Sequence, residues 1–285
     1  MRILPVLGLL LALPAAVHAQ VCKPGKNSNE ANILGILGVP MAFSAARAPD
    51  EGSAGALEFG LEFGYLPNVD SLHAIPTVCN TAKNQAENTD LLFAFPRPRL
   101  IFHSSQGFFI EGSWIPPIRL NGVKASVFGF ALGRTVAAGP NSMLRLRLHA
   151  TFGTIHAAIS CNAANIARTG DYCFGGQVSD DSYKPTSYGG ELALGWSLGG
   201  GRFRPYLGGG YNMLRPRYQV NFTDQFNTTD RTKVEVNINR IVLFGGATWA
   251  LTPSLGVSGE IYSAPSDAVT GRLMVTWFRA PAARR

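Results

Sequence analysis

Between Ala56 and Leu66 the chain reads ALEFGLEFGYL, so that Leu57, Phe59, Leu61, Phe63 and Tyr65 alternate without a break with Glu58, Gly60, Glu62 and Gly64. Only a β-strand sends every second side chain to one face, which gives this segment an aromatic and aliphatic wall on one side and carboxylates and glycines on the other. The same alternation recurs along most of the chain. It predicts ten strands, near residues 56–66, 91–103, 107–116, 123–136, 142–159, 186–199, 203–220, 232–251, 254–263 and 269–278.

The connections alternate in length. Tight turns are expected at residues 104–107, 139–141, 199–202 and 252–253, and longer loops at 67–90, 117–122, 160–185 and 221–231. An up-and-down antiparallel β-barrel separates periplasmic turns from external loops in this way, and an even number of strands places both termini in the periplasm. Several strands exceed the roughly 9 to 11 residues that cross a bilayer at a tilt, so the barrel is expected to project above the membrane. The outward sets are Phe128, Phe130 and Leu132; Leu144, Leu146, Leu148 and Phe152; Leu192, Leu194, Trp196 and Leu198; Leu255, Val257 and Ile261; and Leu273, Val275 and Trp277. Trp196, Trp249, Trp277 and Tyr65 suit the aromatic girdles at the membrane boundary. A change of phase between Asn239 and Ile241 predicts a β-bulge. Pro96 and Pro98 weaken the second strand, because proline cannot donate to a ladder.

Composition agrees with an all-β wall that has lipid on one face. Charged residues make up 15% of the chain and hydrophobic residues 46%, spread thinly rather than in blocks; a soluble domain carries about a quarter charged residues. Residues 1–19, with Arg2, the run ILPVLGLLLALPAAV and a small-residue end at Ala19, read as a secretory signal peptide too short to span a membrane. No later window holds about 18 consecutive apolar residues, which leaves a closed barrel as the way to cross a bilayer. For an exported chain, the formal net charge of +7 points to anionic headgroups or solutes and not to nucleic acid.

Four cysteines in an oxidising compartment favour disulfides over metal ligation. Cys161 and Cys173 share one loop, which leaves Cys22 and Cys79 for each other, although three pairings are formally open. Cys22 follows Val21, where a lipid-attachment site would want a small residue. Residues 20–55 join a polar run to the apolar ILGILGVPMAF and form either a periplasmic arm or a lumen plug. A bond from Cys22 to Cys79, in an external loop, would require the arm to thread the barrel.

The expected lumen-lining charges are Glu58, Glu62, Glu111, Arg145, Arg147, His149, Glu191, Glu260 and Arg272. Opposed charges in a narrow lumen either pair into a structural ladder or line a narrow polar conduit whose selectivity they set. His73, His103, His149 and His156 lack the short spacing of a metal site, and no cofactor motif is present. The glycine triplets at 199–201 and 208–210 lack the strand, loop and helix setting of a phosphate cradle; they read as a turn and as space for close backbone approach.

Together the signal peptide and residues 56–278 resemble the small outer-membrane β-barrel proteins of Gram-negative bacteria, the OmpA-like and OmpW-like group. Leu273, Val275, Trp277 and Phe278 look similar to the terminal aromatic strand that the outer-membrane assembly machinery recognises, here followed by a basic tail at 279–285. The resemblance implies residence in membrane lipid and a non-enzymatic role, as a narrow channel or transport pore for small solutes or as a structural surface protein. An enzyme acting on lipid or peptide is the alternative. His103 with Ser104 and Ser105 is similar to the His and Ser pairing of outer-membrane lipid A deacylases, although neighbours on a strand point apart. Asp180, Asp181 and His73 are the residue types that an omptin protease pairs at its rim. A soluble exported ligand binder is the third reading, and the unbroken Leu, Phe and Trp face argues against it.

Overall fold

A computed structural model describes residues 20–67, 69, 74–81, 83, 85–89 and 94–279. The expected signal peptide, His73 and the tail beyond Arg279 lie outside the described residues. The wall consists of β1 (Leu57–Tyr65), β2 (Ala94–His103), β3 (Phe108–Ile115), β4 (Val123–Gly139), β5 (Ser142–Ala157), β6 (Ser187–Trp196), β7 (Phe203–Leu214), β8 (Ile238–Thr252), β9 (Leu255–Ala264) and β10 (Ala268–Arg279). Each strand is antiparallel to the next. β10 pairs back onto β1, from Arg272 opposite Gly64 to Arg279 opposite Leu57, so the sheet closes on itself.

The predicted outward sets do face outward. Phe128, Phe130, Leu132, Leu146, Leu148, Leu192 and Leu273 are exposed, and Ile261 reaches 64%. Trp114, Phe128 and Phe152 stack across three adjacent strands, with ring centroids 6.1 and 5.9 Å apart. A closed sheet belted by exposed apolar side chains satisfies its backbone internally and buries its surface in hydrocarbon, which places the protein in the bacterial outer membrane. Tight turns gather at the periplasmic end; Gly199, Gly200 and Gly201 all have positive φ there, which is why that turn takes three glycines. β4 and β5, at 17 and 16 residues, rise well above the belt.

Three expectations need correction. The bulge between Asn239 and Ile241 is absent: β7 and β8 stay in register through Asn212 opposite Arg240 and Tyr211 opposite Ile241. Arg240 faces inward at the rim because Asp267 accepts its guanidinium at 2.8 Å, and the register shifts lie instead beside the turns, at Ala137/Gly139 and Ala250/Thr252. The strands expected over 203–220 and 232–251 break near the rim. Their upper pieces, Arg217–Gln219 and Lys233–Glu235, join Asp181–Lys184 in a small sheet continuing from the top of β5. The third correction concerns sidedness. Val21–Cys22 forms the last strand of that rim sheet, parallel to Lys233–Glu235, so this part of the arm lies at the external end and only the barrel's own ends are periplasmic.

From the rim, residues 20–56 descend through the lumen. Ser28 caps α1 (Asn29–Met41), its hydroxyl accepting from Ala31 N at 3.1 Å. Apolar residues lie on all sides of this helix, as burial on every side requires. The helix stops at Met41, and an extended segment runs down to β1. Cys22 is bonded to Cys79, and Cys161 to Cys173.

The Cys22–Cys79 bond spans 57 positions, and the chain-entropy relation gives such a link about 4 kcal/mol. The C22S/C79S variant is expected to lose about that much unfolding free energy in guanidinium titrations while keeping the heat-dependent gel mobility of a closed barrel.

Candidate functional site: a filled lumen and the vestibule above it

All nine residues expected to line the lumen are buried inside the barrel. Glu111 accepts from Arg99 at 2.9 Å and from Arg147 at 3.0 Å, and Arg147 reaches Glu191 at 3.1 Å. Glu260 accepts from Arg272 at 3.2 Å, from the Ser44 hydroxyl at 2.6 Å and from the Tyr206 hydroxyl at 3.0 Å. Glu62 sits among Arg97, Arg99 and Arg272. Glu58 meets Arg47 and His103, and His149 lies 3.5 Å from Glu191.

Six buried arginines (Arg47, Arg97, Arg99, Arg145, Arg147 and Arg272) face five buried glutamates here, so guanidinium donors outnumber what the carboxylates can take up. The surplus goes to the plug backbone. Arg97 donates to Met41 O at 2.9 Å, and Arg99 to Ala45 O at 2.8 Å. Arg145 donates to Arg47 O at 2.9 Å, Arg147 to Phe43 O, and Arg272 to the carbonyls of Val39, Pro40 and Ala42. The last carbonyls of a helix have no partner within it, and the extended segment that follows has no ladder. Arginines near a helix C-terminus also complement its dipole.

Phe43, fully buried, carries three guanidinium groups around its ring, with Arg99, Arg147 and Arg97 at 4.4, 4.7 and 5.6 Å from the centroid. Gly129 on β4 makes room for it, since a Cβ there would stand 2.7 Å from Phe43 Cγ. The charges expected to tune a conduit are thus engaged with the plug. Sequence reading missed Arg97, Arg99, Arg47 and Phe43. Arg97 and Arg99 stand in phase with Ile101 on β2, but Pro96 and Pro98 between them masked the strand.

The enzyme-like constellations do not assemble among the described residues. His103 is buried against Glu58, while Ser104 is exposed. Asp181 is fully buried and accepts from Ile159 N, Ser160 N and Asn221 N. Asp180 is exposed, 3.7 Å from His156. Asp50, Glu58 and His103 converge at the bottom of the plug, but the Arg47 guanidinium already supplies the cation between the two carboxylates.

Beside the upper turns of α1 the chemistry changes. Ile33, Leu34 and Leu37 of α1, with Tyr183, Tyr218 and Val220 of the rim, enclose an apolar vestibule at the external end. Its edge is polar: Lys83 donates to Glu87 at 2.7 Å and to Ser160 O at 2.6 Å. Burial alone would lift the Glu30 carboxyl. The N–H groups of Thr77, Val78 and Cys79 donate to it at 2.9, 2.7 and 2.8 Å and hold it below the ordinary carboxylate range.

No family model and no curated protein matches this chain. Among solved structures it is similar to the outer membrane protease OmpT from Escherichia coli (10% identity, 79% of this chain and 94% of that one, TM-score 0.39). It is also similar to the Yersinia pestis outer membrane protein Ail in a phospholipid nanodisc (6% identity, 79% and 99%, TM-score 0.34) and to Neisserial surface protein A (9% identity, 79% and 96%, TM-score 0.31). The hydrogen-bonded closure of the wall carries the fold assignment by itself.

Phe43→Ala is expected to cost about 3–5 kcal/mol in unfolding free energy, since it leaves a void inside a ring of guanidinium groups. The Glu30 contribution is present above its unfolded value of 4.5 and is lost as pH falls through the lower folded value. Glu30→Gln should therefore speed hydrogen exchange at the amides of Thr77, Val78 and Cys79 near pH 7, and the difference should shrink as pH falls below 4.5.

Proposed function

We propose that this outer-membrane barrel is a non-enzymatic carrier of small, mainly apolar solutes, which enter from outside into the vestibule beside α1. One observation carries this reading: the vestibule lies beside α1 at the external end, over a lower lumen occupied by the rest of the plug. A solute arriving from outside meets a concave apolar surface with a few fixed polar groups at its edge, the usual character of a small-molecule site. An ion arriving there would lose its hydration without gaining partners, because the lumen charges are already paired with one another or with plug carbonyls.

Binding of N-phenyl-1-naphthylamine to the protein in nanodiscs, corrected for empty discs, tests the reading. Saturable binding is expected, together with a loss of about tenfold in affinity for Leu37→Glu, which puts a charge into the apolar lining. Binding indifferent to Leu37→Glu, or steady ionic current through the wild type in a planar bilayer, would overturn it in favour of a structural protein or an open pore respectively.

A further inference from the structure

The wall has one weak seam, and it lies beside an apolar route leading away from the vestibule. β2 and β3 are laddered over only five residue pairs, from Arg99 opposite Ser113 to His103 opposite Phe109, the shortest ladder in the wall. Above Arg99, β2 continues to Ala94 and pairs only with β1. Pro96 and Pro98 stand two apart in this stretch, so both missing N–H groups lie on one edge of the strand, and the edge toward β3 is the one left open. β3 runs into Pro116 and Pro117, which likewise have no donor to offer. The ladder cannot zip further up.

Three apolar cavities, of which the vestibule is the first, each share lining residues with the next toward that seam. The vestibule shares Leu37, Ile159 and Tyr183 with a second cavity inside the wall. That cavity shares Phe95, Ile115, Val123 and Ala125 with a third, whose outer lining includes Pro96, Ile118 and Leu120. Ile118 and Leu120 are exposed on the outside of the wall. Phe95 lines both the inner and the outer cavity, is 3% exposed, and is steadied by the Arg97 guanidinium 5.1 Å from its ring centroid.

We infer that small apolar molecules pass sideways between the vestibule and the hydrocarbon of the outer leaflet, through the seam between the upper ends of β2 and β3, with Phe95 as its gate. The inference rests on the vestibule being the place of binding and adds the direction of transfer. Downward passage meets the buried ion pairs and the plug, whereas the lateral route is apolar throughout and ends in a medium where an apolar solute is stable.

Thiol labelling in lipid vesicles tests it. All four native cysteines are in disulfides, so an introduced cysteine is the one free thiol. Met41 lines only the second cavity and Ile33 only the vestibule. Bilayer-soluble N-phenylmaleimide should label Met41→Cys about tenfold faster than a sulfonated maleimide does, because only the former dissolves in hydrocarbon. Adding Ala125→Trp, which fills the shared part of the second and third cavities, should slow that labelling at least about fivefold and leave labelling of Ile33→Cys unchanged. Adding Phe95→Ala should speed it severalfold, which serves as an independent arm if the tryptophan variant fails to fold. Labelling of Met41→Cys that ignores both changes would overturn the seam. An Ile33→Cys thiol that stays unlabelled while Met41→Cys responds to both would instead sink the vestibule as the binding place.

Discussion

The structure depends on arginine side chains donating to a backbone that has no other partners. A segment passing through the middle of a barrel as an extended chain brings carbonyl groups into a space without a ladder, and each would be costly to bury alone. Arg97, Arg99, Arg145, Arg147 and Arg272 reach these carbonyls from three different strands, and Ser44 and Phe43 of the plug reach back to Glu260 and to the guanidinium faces. Buried ion pairs on their own roughly break even against desolvation. Here the carboxylates orient the guanidinium groups, and those groups also donate to plug carbonyls, so wall and filling are held by the same side chains.

This division of labour separates the interior into two media. The lower part is a polar lattice around Phe43 and the end of α1, and the upper part is an apolar space bounded by the other faces of the same helix. α1 can serve both because its C-terminal carbonyls address the arginines while its side chains are almost wholly aliphatic. A barrel of ten strands has little spare volume, and a helix with glycines at positions 35 and 38 fits it closely: Asp267 stands beside Gly35 and the Tyr183 hydroxyl beside Gly38.

Much of this was legible in the chain. A period of two is unambiguous when one face must be apolar for lipid, so the ten strands, their outward residues and the nine inward charges could be read off directly. Reading failed where a second constraint overrode the period. Arg240 looked like a phase change because a charge at the rim can face inward when Asp267 waits for it. The prolines of β2 looked like a broken strand, yet a wall strand tolerates them where its neighbour has already parted from it. The helix of residues 29–41 was hidden because it has no polar face, and amphipathic periodicity is the usual sign of a helix; the cap at Ser28 followed by an apolar run was the available signal. The arm's sidedness could not be read from strand parity, because it follows from what fills the barrel and not from the wall.

The threading of the arm also constrains how the molecule is made. β1 begins at the periplasmic end, yet the chain that leads into it comes down from a rim strand held beside Lys233–Glu235. A finished cylinder would have to admit the chain's beginning through one mouth, pull it the full height and let it take its place among strands already formed. If β1 and β10 instead meet last, the arm is laid along the open trough and enclosed as the two edges join, so that closure of the cylinder and the packing of its contents are a single event.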